Sequence, residues 1–320
     1  VLSAVGPESR VPVGGTADPL VERSRRPSDL SRWRHGTALE WNDFARQFIA
    51  QHPTSPPEAA RLLAYVNVAM FDALSVVRAD RANLEVSSET VDSTGAKRAA
   101  RRQALERAAM SVAATRIFRY VYNRRDEVEL LSSVDQELAS ALESALYVAP
   151  ESRPAIERGI RIGTHVGELV VSRGRTDGSA TAQGSYAAAS LSGRWIPTPR
   201  VGEEPVGVPL LPGWGLVRTW LLPRGDAFRL PAPPRFGSVE AQLQLEEVHR
   251  VSTSLTAEQR STALRWAGGP GTDTPAGQWC GMACDIARVE RLTEAQSAYL
   301  MSLISVAQSD AFVACWDSKF

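Results

Sequence analysis

The chain has 320 residues and a mass of 34.7 kDa, and 43% of its residues are hydrophobic. That is enough to bury a sizeable core, so we expect a globular protein. Thirty-six basic and thirty-six acidic residues give a formal charge of zero. No global charge therefore steers the protein to nucleic acid or to an anionic membrane, and we expect neither partner.

The apolar runs and the first residues of the sequence bear on localisation. Arg, Asp or Glu interrupts the longest apolar runs every few positions, so we expect a soluble protein without a membrane-spanning segment. The opening stretch, VLSAVGPESRVPVGG, starts with Val1 and lacks the charged start and apolar core of a signal peptide. These residues are compatible with a processed or trimmed start, and the compartment stays open.

Helical spacing of apolar residues predicts the elements in chain order. Residues 1–35 hold Gly, Pro and scattered charge without periodicity and are predicted to be an irregular arm, followed by a single helical domain over 36–320. No segment alternates over a strand's length, so the predicted fold class is all-α. The predicted helices are Thr37–Gln51, Pro57–Val77, Lys97–Tyr122, Arg124–Leu146, Ala155–Ser172, Ser238–Thr253, Ala257–Ala267, Gly277–Glu290 and Thr293–Phe320.

A proline-rich stretch interrupts the helices between Gly193 and Gly237. It contains nine of the chain's twenty prolines, so no long helix fits there. We expect a long ordered loop packed across a rigid scaffold. Trp195 and Trp214 are expected to anchor that loop rather than to contact a substrate.

Two apolar helices repeat one motif around a central carboxylate. Val68-Ala69-x-x-Asp72-Ala73 recurs as Val306-Ala307-x-x-Asp310-Ala311. An unpaired buried charge costs several kcal/mol, so each carboxylate must find a cation or hydrogen-bond donors. We favour helix-to-helix anchoring through a buried salt bridge or cap over catalysis for Asp72 and Asp310. Two similar core helices also indicate a bundle.

Few other residues have neighbours suited to chemistry. Cys280 and Cys284 are four positions apart with no third ligand nearby, which favours small buried residues over a zinc site or a disulfide. His165 stands among glycines, but its helical spacing favours a core or subunit-contact histidine. The basic stretch KRAARRQALER, residues 97–107, lacks interleaved aromatics, so a solvated helix face is favoured over an RNA-binding patch.

Four segments together resemble bacterial vanadium-dependent haloperoxidases. Arg175–Pro199 has an arginine, Asp-Gly and Gly-x-Trp-x-Pro-Thr-Pro, and Pro209–Ser238 has a Pro-x-Trp-Gly followed by Pro-Pro before a helix. Residues 263–287, ALRWAGGPGTDTPAGQWCGMACDIA, resemble the family's tryptophan segment. AQSDAFVACWDSKF, at 307–320, resembles its Trp-Asp-Ser-Lys helix. Each match is modest alone, but their order and spacing over 41–320 are specific.

The resemblance implies an all-α helical bundle of the vanadium haloperoxidase type, in a superfamily with the type 2 phosphatidic acid phosphatases. Lys319 matches the lysine that donates to a vanadate oxygen in that family. The family's further ligand segments, an arginine beside a proline, Ser-Gly-His, and an Arg followed by Gly-x-His, do not occur in residues 1–320. The resemblance thus implies that a second bundle is missing from this chain. Vanadate is expected for the completed site and not for this chain alone.

The function implied by the resemblance is oxidation of a halide with hydrogen peroxide, once a C-terminal half supplies the vanadate-binding Arg and His. One alternative is a non-catalytic scaffold or binding homologue that has lost the site, and another is phosphatase-type use of the same oxyanion pocket. The haloperoxidase hypothesis and the scaffold hypothesis both predict a partner. That partner is either a second polypeptide or bundle, or further copies of this chain. We expect the partner-binding face at Ala311, Ala314 and Cys315, with Phe312 on its flank.

Overall fold

A computed structural model describes residues 36–52, 54–84, 95–122, 128–148, 150–186, 209–269 and 271–320. Regular structure within these ranges is helical, as the absence of strand alternation predicted. Short 3-10 helices accompany the α-helices at Pro150–Ser152, Ser179–Thr181, Pro212–Leu216 and Gly225–Phe228. The α-helices are α1 (Thr37–Gln51), α2 (Pro56–Leu84), α3 (Gly95–Val121), α4 (Val128–Val148), α5 (Arg153–Gly174), α6 (Val239–Thr253), α7 (Ala257–Trp266), α8 (Thr274–Val289) and α9 (Glu294–Lys319).

Contacts divide the chain into two compact units. The larger unit contains α1 to α5, α8 and α9, and the smaller one contains α6. The arm expected over 1–35 lies outside the described residues, and the single domain expected over 36–320 stays a prediction. Of the described residues, the larger unit holds those from 36 to 184, 211 to 230 and 263 to 320, and the smaller one holds 185–186, 209–210 and 231–262.

Helix α2 is the buried central helix that its apolar spacing predicted. Leu62, Leu63, Val66, Ala69 and Met70 are all completely buried, and α2 packs against α3, α5, α8 and α9. The helix continues past its predicted end, because the residues from Arg78 to Leu84 contain neither Gly nor Pro to stop it.

An aromatic cluster joins α1 to α3 in the core of the larger unit. The ring centroid of Phe118 lies 5.2 Å from Phe48, 5.5 Å from Phe44 and 6.1 Å from Trp41. Trp41 also donates from Nε1 to Ser111 Oγ at 2.9 Å. Edge-to-face and tilted aromatic pairs of this kind add to the energy of burial, so α1 is firmly packed on the bundle.

Three glycines let α5 approach α3 closely. Gly159, Gly163 and Gly167 are four residues apart, so they lie along one face of α5. A Cβ at Gly163 would lie 2.3 Å from the carbonyl oxygen of Ala109, and one at Gly159 would lie 2.6 Å from that of Leu105. The two helix backbones therefore meet at distances that a larger residue would prevent.

A buried polar network connects α1, α2 and α9. Asn42 Nδ2 donates to Asn67 Oδ1 at 2.7 Å and Asn67 Nδ2 donates back to Asn42 Oδ1 at 2.9 Å. Asn67 Nδ2 also lies 2.8 Å from Ser305 Oγ. This contact fixes the position of α9 along the axis of α2. Satisfied polar groups in a low-dielectric core favour one register of the helices over others.

The start of α1 is held by a residue from the start of α9. Gly36 has φ of 101°, a left-handed conformation that favours glycine, and the following N–H groups point at Glu294. The N–H groups of Thr37 and Ala38 donate to the two carboxylate oxygens of Glu294 at 2.7 and 2.8 Å. Distant parts of the sequence are thereby joined by two hydrogen bonds.

Two helices contain long apolar windows. By length and composition Pro56–Ala79 and Glu294–Lys319 could each cross a membrane, although charged residues interrupt both. The protein buries 72% and 44% of their most apolar windows, so α2 in particular is a core helix.

Candidate functional site

Helix α9 carries Lys319 at its C-terminal end. The helix begins with a capping box, in which Thr293 Oγ1 accepts from Gln296 N and Gln296 Oε1 accepts from Thr293 N at 3.0 Å. Lys319 lies in the last turn, where the partial negative charge of the helix terminus favours a cation. The sequence thus places the ammonium group at the end of a long, well-capped helix.

The Lys319 ammonium is exposed and lies beside two aromatic rings. Its Nζ is 5.1 Å from the ring centroid of Trp316 and 5.4 Å from that of Phe320. Within the described part of the chain it makes neither a hydrogen bond nor an ion pair. Asp317, two residues earlier, accepts from Arg229 Nε and Nη2 at 2.8 Å each, so its charge is already compensated. The lysine therefore keeps its donor capacity for an anion.

The described part of the proline-rich loop wraps the last turns of α9. Trp214 is buried in a cluster with Val313 and Trp316, as expected of a loop anchor, and Trp195 lies outside the described residues. Gly215 and Gly225 make the close approach to α9: a Cβ at Gly215 would lie 2.6 Å from Asp317 Cα. From 209 to 237 the chain contains only 3-10 turns, as its prolines predicted.

Asp310 fixes this loop to α9 through backbone hydrogen bonds. Its carboxylate accepts from the N–H groups of Trp220, Leu221 and Leu222 at 2.6, 2.8 and 2.9 Å. The side chain is buried, and three donors compensate its charge. Asp310 is therefore buried and compensated as predicted, but the predicted helix-to-helix anchoring was wrong, because its partners are backbone N–H groups of a loop.

Trp220 contacts both an arginine and a tyrosine ring. The Arg173 guanidinium carbon lies 4.1 Å from the centre of the Trp220 ring, and the Tyr65 ring meets Trp220 edge-on at 5.0 Å. Arg173 Nη2 also donates to the carbonyl oxygen of Thr219 at 2.7 Å. Burial lowers the pKa of Arg173 from its usual value, and stacking on the ring keeps the cation favourable there.

Asp177, in the Arg-Thr-Asp-Gly segment, is the shared acceptor of several hydrogen bonds, one of them from the tyrosine that contacts Trp220. Its carboxylate accepts from Arg61 Nε at 2.6 Å, Tyr65 Oη at 2.8 Å and Ser179 N at 2.9 Å. Burial opposes ionisation, but the Arg61 charge and these donors outweigh it and hold the pKa of Asp177 below its usual value. Its backbone carbonyl accepts from Arg218 N at 2.8 Å, so this segment also holds the loop.

The remaining candidates have different outcomes. Asp72 is exposed, so the expectation of a buried anchor was wrong there: the carboxylate lies on the outer side of α2. His165 is also exposed on α5, which rules out the core alternative and leaves the subunit contact as a prediction. Cys280 and Cys284 are buried as expected, and burial raises the pKa of Cys280 to about 11.

The face expected to bind a partner is only partly covered. Ala311 and Cys315 are exposed, Ala314 is partly exposed, and Phe312 packs against the core. Among the described residues, no group of three His, Cys, Asp or Glu side chains is arranged to hold a metal ion. The site in this part of the chain thus consists of one lysine on a firmly held helix end.

Comparison with known proteins supports the fold. No family model and no curated protein matches the chain. The solved structures include a similar chain, described as the first bacterial vanadium-dependent iodoperoxidase, with a TM-score of 0.64 and 21% sequence identity. The match covers 88% of this chain and 68% of that one. The protein therefore has an all-helical fold like that of the iodoperoxidase, and this degree of identity supports the fold alone.

Proposed function

We propose that this chain is the lysine-bearing part of a vanadium-dependent haloperoxidase-like protein, which oxidises a halide with hydrogen peroxide when other residues complete its oxyanion site. The observation that carries the proposal is Lys319: it stands at the end of α9, in an iodoperoxidase-like fold, with its donors unused among the described residues. Vanadate bound there would activate the peroxide.

The residues present fit vanadate only in part. One charge-assisted hydrogen bond contributes about 1.5–3 kcal/mol, whereas a millimolar complex needs about 4 kcal/mol. Lys319 alone therefore holds no oxyanion at micromolar concentration, so the other donors must come from outside the described residues. The part of this chain is to orient one donor. Asp310 and Trp214 hold the end of α9 against the loop, and Arg229 pairs with Asp317 in its last turn.

The test is peroxide-dependent iodide oxidation by the protein purified together with whatever polypeptides accompany it. Lys319→Ala is expected to lower kcat by about a hundredfold or more with vanadate present, because one donor to the developing charge is lost. The matched control is Lys97→Ala, which removes an exposed lysine from the start of α3. Equal turnover of Lys319→Ala and wild type would remove Lys319 from the site.

Native mass spectrometry of the same material separates the remaining alternatives. A companion bearing Arg and Gly-x-His segments supports the haloperoxidase proposal. A non-catalytic scaffold is the second candidate, because no further oxyanion ligand accompanies Lys319 in the described residues. Only multiples of 34.7 kDa, with no oxidation of iodide, would favour it.

A phosphate-ester hydrolysis assay on the same samples tests phosphatase-type use of the lysine.

A further inference from the structure

The last turn of α9, residues 316–319, has two different faces. Successive residues of an α-helix are rotated by about 100°, so side chains two positions apart point to nearly opposite sides. Lys319 lies on the side of Trp316, whose ring centroid is 5.1 Å from the ammonium nitrogen, and Asp317 faces away from it. The two faces share the helix backbone, so a contact that holds Asp317 also holds the base of the lysine side chain.

Two glycines of the loop pack on the Asp317 side of this turn. A Cβ at Gly215 would lie 2.6 Å from Asp317 Cα, and one at Gly225 would lie 3.2 Å from Asp317 Cβ. The backbone of the loop therefore lies directly against the backbone of α9. This packing stops the turn from moving toward the loop, but individual dispersion contacts are weak and give it little direction.

Arg229 supplies a directional contact to the same residue. Its Nε and Nη2 donate to the two carboxylate oxygens of Asp317 at 2.8 Å each, the parallel geometry in which arginine binds a carboxylate. Two parallel bonds fix orientation as well as distance, which the point charge of a lysine would not do. The Asp317 side chain is 14% exposed and that of Arg229 is 54% exposed, so the arginine reaches the carboxylate from the solvent side.

Lys319 has few contacts of its own. Its side chain is exposed, and in the described residues the ammonium meets aromatic rings but forms neither an ion pair nor a hydrogen bond. A lysine side chain is flexible, and the attraction between a cation and an aromatic face is weak at an exposed site. The position of the ammonium over Trp316 therefore depends on how firmly the turn that carries both residues is held.

We propose that Arg229 is a positioning residue for Lys319: its two bonds to Asp317 fix the last turn of α9 and so hold the ammonium over Trp316, where it can donate to an oxyanion. Because Asp317 and Lys319 face opposite sides of the helix, Arg229 acts through the helix backbone and does not contact the anion. This inference rests on the proposed function, since it concerns how the oxyanion donor of that function is held.

Nuclear magnetic resonance of methylated lysines measures the position of the ammonium. Lys97 and Lys319 are the two lysines of the sequence, so reductive methylation with carbon-13 formaldehyde gives one signal from each, besides that of the terminal amine. Dimethylation keeps the positive charge, and Lys97→Arg assigns the signals. A group above an aromatic ring is shifted upfield by the ring current. The Lys319 signal should therefore lie upfield of the signal of Lys97, which is exposed at the start of α3.

Arg229→Gln removes the two-bond geometry, and we expect the Lys319 signal to lose its upfield shift. Amide hydrogen exchange in residues 312–320 should accelerate about fivefold, as for the loss of a partly exposed ion pair. Asp317→Asn should have the same effects, and the double variant should change no more than either single variant, because the two residues act as a unit. Arg229 is half exposed, so Tm should change little.

The matched control is Arg224→Gln, which removes another arginine of the same loop, one that pairs with Asp226 at 2.9 Å. It should leave both the Lys319 signal and the amide exchange unchanged. Arg229→Lys keeps the charge without the two-bond geometry, and it should also lose the upfield shift.

Four results would overturn the proposal. The first is a Lys319 signal that is unshifted in the wild type or keeps its shift in Arg229→Gln, which would leave aromatic packing to hold the ammonium. The second is an equal change in Arg224→Gln, and the third is a fully retained shift in Arg229→Lys. The fourth is loss of the far-UV helix signal in Arg229→Gln, which would make Arg229 a residue for stability. Vanadate, peroxide and a second polypeptide are absent from these measurements, so the positioning role and the haloperoxidase function can fail separately.

Discussion

The contribution of Asp177 to the stability of the protein follows from its burial and its partners. Its side chain is 1% exposed and that of Arg61 is 10% exposed, so the pair is removed from solvent. Asp177→Asn leaves the Arg61 cation buried against a weaker acceptor, and we expect the free energy of unfolding at pH 7 to fall by about 3–5 kcal/mol. Urea denaturation measures this.

Asp135→Asn is the matched control, because the Arg119–Asp135 pair has the same 2.6 Å separation but both side chains are about half exposed. It should cost less than about 1 kcal/mol, since solvent screens the pair. Equal losses in the two variants would mean that Asp177 acts as an ordinary surface charge.

The lowered pKa of Asp177 makes its contribution depend on pH. A depressed folded-state pKa stabilises the protein above the unfolded value, near 3.9, and this stability is lost as pH falls through the folded pKa. The difference between wild type and Asp177→Asn should therefore be constant near neutral pH and shrink below pH about 4. A difference that grows on acidification would contradict this assignment.

The sequence predicted some of these residues and missed others. The buried role of Asp310 followed from a charge in an apolar helix, yet the same logic failed for Asp72, because exposure depends on which helices cover that turn. Arg61 was missed, although an arginine four residues before Tyr65 on an apolar helix is a signal for a buried partner. The partner, Asp177, is distant in sequence, so spacing alone could not identify it.

At the scale of elements, the bounds of a helix were predictable where residues that start or stop a helix lie at its ends in the sequence. Both ends of α1 match the sequence prediction, whereas α2 runs past its predicted end because no breaker follows. Packing partners were less predictable, since periodicity shows which face is buried but not which helix covers it. The glycines of α5, interpreted only as surroundings of His165, in fact form its contact with α3.

Gly163 tests that contact. Gly163→Ala puts a methyl group against the carbonyl of Ala109, which cannot move without shifting α3. Overpacking costs about 1–3 kcal/mol and outweighs the gain of about 1 kcal/mol in helix propensity, so Tm should fall. Gly95→Ala is the control: no atom lies within 4 Å of the added methyl group, and stability should stay unchanged or rise. A stabilised Gly163→Ala would show that α5 can move away.

At the scale of the whole molecule, distant parts of the sequence support one another. The polar network from Asn42 through Asn67 to Ser305 and the Glu294 contacts with α1 all join residues far apart in the chain. The resemblance indicated a bundle, but it could not show that α9 both fastens α1 and carries Lys319. The position of the lysine thus depends on contacts at both ends of the same helix.

Glu294→Ala tests whether α9 holds α1. The change leaves the N–H groups of Thr37 and Ala38 without their acceptors near the core, so the free energy of unfolding should fall by about 2–4 kcal/mol. Trp41, completely buried in α1, should report loosening at lower denaturant than the far-UV helix signal does. Thr293→Ala is the adjacent control: it removes only the cap of α9, at a cost of about 1 kcal/mol, and both signals should still coincide. The prediction fails if the Trp41 and far-UV transitions coincide in Glu294→Ala and both variants lose the same free energy of unfolding. Glu294 would then stabilise only α9, and aromatic packing alone would hold α1.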